Sequence, residues 1–153
     1  MVHNFGNGVA KDYKVLSAQP RIVENEKGLL IAFRFVDSRL NFELRKDNSF
    51  EVAVGDLPPH RSAVAWWRLN STLQGSFVNF TATVVYHNPL GDPRLSLVRN
   101  FTVHFLVRVV NDFMSDDSVP DFLTTDDNDI PNTLHSSWGN VELPVLACTP
   151  PDN

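Results

Sequence analysis

Apolar and polar residues alternate along much of the first 110 positions of this chain, with a period of two. Leu29, Ile31, Phe33 and Phe35 alternate with Leu30, Ala32, Arg34 and Val36, and Leu40, Phe42 and Leu44 alternate with Asn41, Glu43 and Arg45. Successive side chains of a strand point to opposite faces, so each run predicts a strand with one face toward a core. Phe50, Val52 and Val54 predict a third strand, closed by Gly55-Asp56-Leu57-Pro58-Pro59 because proline has no N–H to give a ladder. Ala63 to Leu69 predicts a fourth. Val78, Phe80, Ala82, Val84 and Tyr86 alternate with Phe77, Asn79, Thr81, Thr83 and Val85, a fifth strand that runs into the turn His87-Asn88-Pro89-Leu90-Gly91-Asp92-Pro93. Phe101, Val103, Phe105, Val107 and Val109 against Thr102, His104, Leu106 and Arg108 predict the last, and Lys11 to Val23 an additional N-terminal one. About seven short strands with turn signals between them, and no helical period, predict an all-β fold of two packed antiparallel sheets. The alternation puts Phe33, Phe35, Trp67, Phe80, Val84, Phe101, Val103 and Phe105 on the inner faces.

Composition supports strands: eleven Phe and three Trp accompany two Met and one Cys. The length of 153 residues suits one domain, or one domain and a tail. Cys148 has no partner in the chain, so no disulfide framework is expected. The start, Met1-Val2-His3-Asn4-Phe5-Gly6, has neither a basic nor an apolar region of a secretory signal, so export would require a longer parent chain. The best apolar stretch, Phe101 to Val110, contains His104 and Arg108 and falls short of the roughly 18 residues that cross a bilayer. The expectation is a soluble piece with no membrane insertion.

Charge divides the chain. All 13 Lys and Arg lie at or before Arg108, accompanied by nine acids, whereas the residues after Arg108 include nine acids and no base, within a net charge of −5. A mildly basic body over residues 9–111 and an acidic linker, or the start of a following module, over 112–153 are the expected units. The body has no basic cluster, so no nucleic-acid partner is expected.

The runs DLPPHRSAVAWWRL, LQGSFVNFTATVVYHNPLGDPRLSLV and VHFLVRVV resemble the immunoglobulin-like, cell-adhesion-related (CARDB-like) modules of large repetitive extracellular proteins, chiefly bacterial. Those modules share a turn of the form LPPG-S-A leading into a Trp-containing strand, and a later stretch F-A-T-x-x-Y-x-D-x-L-G. The likeness covers about Asp56 to Val110 and continues faintly into PDFLTTDDNDIPNTL; His60 stands where the modules generally carry glycine. It implies an immunoglobulin-like β-sandwich that spaces or presents neighbouring modules, without catalysis, outside the cell or at its surface as part of a longer secreted chain. Neighbouring modules or surface partners are then the expected contacts.

Trp66 and Trp67 are adjacent, so they point to opposite faces; Trp67 belongs with Ala63, Ala65 and Leu69, and Trp66 with Val64 and Arg68. Trp66 beside Arg68 is a candidate stacking platform for a glycan ring, unless the arginine stem or a loop covers it. Asn70, Asn79 and Asn100 head N-x-[ST] glycosylation acceptors. Asp126, Asp127 and Asp129, in a run with Asp112, Asp116, Asp117 and Asp121, are the candidate calcium ligands, but the glycine and distal Glu of a calcium loop are missing. No cofactor is otherwise expected. G-x-S-x-G, phosphate-cradling, H-E-x-x-H and C-x-x-C motifs are absent, and the five histidines are scattered in sequence, so no enzyme is expected. The alternatives are a carbohydrate-binding module that uses Trp66 and a viral jelly-roll coat subunit, the latter disfavoured by the lack of a basic RNA-binding arm.

Overall fold

The computed structural model describes residues 1–17, 32–47, 49–73, 81–92, 96–111 and 117–146. Among these, twelve strands occur and no helix: β1 (Val2–His3), β2 (Ala10–Ser17), β3 (Phe33–Leu40), β4 (Glu43–Leu44), β5 (Glu51–Leu57), β6 (Ser62–Ala63), β7 (Ala65–Ser71), β8 (Ala82–Val85), β9 (Phe105–Val110), β10 (Asp121–Thr125), β11 (Pro131–Ser136) and β12 (Val141–Pro144). The sheets run β5-β2-β8, β4-β3-β7, β1-β6 and β12-β11-β10-β9, and every pairing is antiparallel. The all-β antiparallel expectation holds.

The two three-stranded sheets meet where Phe35 of β3 contacts Phe50, just before β5, with ring centroids 4.8 Å apart. Val15 and Val52 are partners across the β2–β5 ladder, and with Leu57, Ala63 and Val64 they form the buried hydrophobic core among the described residues. Burying a side chain such as Val52 contributes about 1.5–3 kcal/mol.

Two predicted strands are cut differently. Leu40 to Leu44 reverses at Asn41-Phe42 rather than continuing, because Asn41 sits at φ 54° and doubles as a template for Val64. Its N–H donates to the Val64 carbonyl at 2.7 Å, and its Oδ1 accepts the Val64 N–H at 2.9 Å. The third strand passes through Gly55, at φ 78°, and ends at Leu57 before the prolines. Leu29, Leu30, Ile31, Phe77, Val78, Asn79, Phe80 and Cys148 fall outside the described residues.

The last body strand requires a correction. Its ladder begins at Phe105, and Phe101, Val103 and Phe105, expected in the core, are 72%, 77% and 61% exposed. Neither face is covered here, since Leu106 is 60% exposed as well, and a bulge also breaks the register. Leu106 pairs with Thr124 and Arg108 with Leu123, which leaves Val107 as an extra residue. Phe105 opposes Thr125 while Val109 opposes Phe122, so two residues four apart lie on opposite faces and the period of two fails.

The segment read as an acidic linker, or the start of a following module, contains β10, β11 and β12, and β10 pairs with β9. The boundary drawn at residue 111 therefore runs through a continuous four-stranded sheet. Asp121, on β10, is fully buried and holds the β11–β12 turn: Oδ1 accepts the Ser137 N–H at 2.6 Å and lies 2.9 Å from Ser137 Oγ.

Candidate functional site

Trp66 is not an open platform. It is half-buried; its indole N–H donates to the Asn41 carbonyl at 2.6 Å, and the Arg39 guanidinium lies 4.9 Å from its ring centroid. Arg39 is its direct partner across the β3–β7 ladder, which is why Arg39 rather than Arg68 covers the ring. Arg68 instead opposes Asp37 and bonds to its carboxylate, with Arg39 Nε 3.8 Å from the other oxygen. Asp37 is buried, so the two guanidinium groups compensate a charge held away from water.

The other sequence candidates disperse. Asn70 and Asn100 are exposed; Asn79 lies outside the described residues. Asp126 serves the β10–β11 hairpin, its Oδ1 accepting the N–H of Asn128 at 2.9 Å and of Ile130 at 3.0 Å, and these two bonds pull its pKa below the ordinary aspartate value. Asp127 and Asp129 are exposed and project from the same hairpin tip, where Asp129 takes φ 59°.

A cleft of about 710 Å³ separates the Pro58–Ser62 turn from Asp117, Val119, Ser137 and Trp138. Ser62 bridges it: Oγ donates to the Ser137 carbonyl at 2.5 Å and lies 2.9 Å from His3 Nδ1. A nucleophilic serine would hand its proton to the imidazole, whereas this one commits its only proton to a carbonyl and receives from His3. The pair is a tether between β6 and the β11–β12 turn. Burial, and then the neighbouring His60, push the His3 pKa down. Arg61 adds a contact, 5.5 Å above the Trp138 ring.

The tertiary structure assembles one cluster that is dispersed in the sequence. His104, His135 and Glu142 present ligand atoms that all lie within 4.8 Å of one another. His135 is buried on β11 against Phe122, at 4.8 Å and 13° between ring planes, and its ring centroid is 4.3 Å from that of His104. Its Nδ1 lies 3.5 Å from Glu142 Oε1, because His135 and Glu142 are partners across the β11–β12 ladder. Burial lowers the His135 pKa, His104 lowers it further, and Glu142 opposes both. The Gly139-Asn140 pair signals a turn, but the register that pairs His135 with Glu142 comes from a four-residue loop, 137–140, which a two-residue Gly-Asn turn does not give; nothing local announces His104 either.

No helix among the described residues is long and apolar enough to cross a membrane. No protein-family model matches the chain, and no curated protein or solved structure matches it at significance.

Proposed function

We propose that this chain is a non-enzymatic structural or adhesive β-module of an extracellular or cell-surface protein, working through contacts with neighbouring modules. The observation that carries this reading is β9. Among the described residues it is an edge strand of its sheet, and it carries Phe105, Leu106 and Val107 at 61%, 60% and 42% exposure, with Phe101 and Val103 exposed just before it. An apolar edge left in water is a template for another strand, and proteins that retain one use it for pairing. The occupant that fits is an edge strand of another β-module, since its backbone would continue the ladder and its side chains would cover the phenylalanines. A further support for the likeness to immunoglobulin-like modules is His60. It stands at the family's glycine position and sits at φ 56°, the left-handed region that glycine adopts freely. A glycan-binding reading has less support, since the Trp66 ring face and N–H are both engaged.

Sedimentation velocity on the chain in isolation tests the reading. Deprived of neighbours, the edge pairs with a second copy, so the sedimentation coefficient rises with concentration. Phe105→Lys with Val107→Lys abolishes the rise. A chain that stays monomeric up to its solubility limit, with no change on lysine substitution, removes the basis for a partner-bearing edge.

A further inference from the structure

We infer that His104, His135 and Glu142 form a binding site for a divalent first-row transition ion, with zinc the best fit. Three segments supply the ligands: the stretch entering β9, β11 and β12. The surroundings of His135 suit a ligand. Its Nε2 lies 3.0 Å from Thr124 Oγ1, and its Nδ1 faces Glu142 Oε1 at 3.5 Å. With the ring proton on Nε2 and shared with the Thr124 hydroxyl, Nδ1 would offer its lone pair to a cation that Glu142 also reaches. The hydroxyl behind the ring is the outer partner that a metal-bound imidazole ordinarily has, fixing its orientation and raising its basicity.

The donor set selects the ion. Two imidazole nitrogens and one carboxylate suit zinc and its neighbours, whereas calcium and magnesium take oxygen shells. Tetrahedral zinc with bonds of about 2.0–2.1 Å separates its ligand atoms by about 3.3 Å. The His135–Glu142 pair is already near that spacing, so His104, on an exposed stretch, is the ligand that moves in. Water completes the shell. Because β9 and β12 are the two edges of the sheet β12-β11-β10-β9 among the described residues, the ion would fasten the stretch leading into one edge to the other. This inference is independent of the partner-binding reading.

The test uses the full chain, stripped with chelator and titrated with ZnCl₂ in a calorimeter. One ion binds per chain, and His104→Ala and Glu142→Gln, both at exposed positions, each weaken binding by at least about tenfold. A second measurement needs no variant: on zinc addition the ring ¹⁵N resonances of His104 and His135 shift, while those of His3, His60 and His87 hold. No saturable binding, an affinity unchanged from the unsubstituted chain in both variants, or shifts confined to the other histidines overturns the site.

Discussion

Arg39 stands directly across the β3–β7 ladder from Trp66, its guanidinium 4.9 Å from the ring centroid, while the indole N–H reaches past the strand to the Asn41 carbonyl. The ring thereby fastens the β3–β4 reversal to β7. Trp66→Phe keeps most of the packing and removes one donor, so it lowers stability by about 1 kcal/mol in urea unfolding. An unchanged midpoint would show that the Asn41 carbonyl finds water instead.

Val52 is fully buried and Phe105 is 61% exposed, which reverses the ranking that side-chain size suggests. Val52→Ala lowers stability by about 2 kcal/mol, and Phe105→Ala changes it by less than about 0.5 kcal/mol. The pair is compared by urea midpoints at dilute concentration, where association of the β9 edge does not contribute. A larger loss for Phe105→Ala would place the β9 side chains inside.

His60 occupies φ 56° without the freedom of glycine. A residue with a Cβ carries a penalty of about 1–2 kcal/mol in that region, partly offset here by the entropy that glycine loses on folding. His60→Gly therefore raises stability by about 0.5–1 kcal/mol, despite loss of the 3.2 Å contact between His60 Nε2 and Asn7 Oδ1. Thermal unfolding checks this, and a lowered midpoint would show that the contact outweighs the strain.

A chain ended near residue 113 loses β10, the hydrogen-bonding partner of β9, along with the Ser62–Ser137 tether. It is expected to be destabilised by more than about 2 kcal/mol and to aggregate, because β9 then has two open edges. Light scattering and urea midpoints measure both effects. Unfolding within error of the full chain would make β10–β12 a separate unit.

The Asp126 pKa is held below its ordinary value by N–H donors from Ile130 and Asn128. A carboxylate with a depressed folded pKa adds stability that is fully present above its unfolded value of about 3.9, and that is lost as pH falls through the folded value. Asp126→Asn keeps an acceptor oxygen and removes the charge. The midpoint difference between wild type and Asp126→Asn should be present at pH 6 and vanish toward pH 2, and a gap independent of pH would assign the effect to geometry alone.

The sequence by itself determined the all-β class and several of its turns. Period-two alternation is a local property, and so is the punctuation by Pro58-Pro59 and by Asn88, whose Oδ1 accepts the Leu90 N–H at 3.2 Å and whose carbonyl accepts the N–H of Gly91 at 3.1 Å. Which face of each strand turned inward was legible only where the ladder stayed in register, as for Val52. At Val107 one unpaired residue reverses the faces, and a bulge depends on the partner strand rather than on the strand's own residues. Cross-strand neighbours were beyond local reading for the same reason. Arg39 over Trp66, Ser62 on Ser137, and His104 beside His135 are all set by long-range register, which the burial of the whole chain selects and no short window of sequence contains.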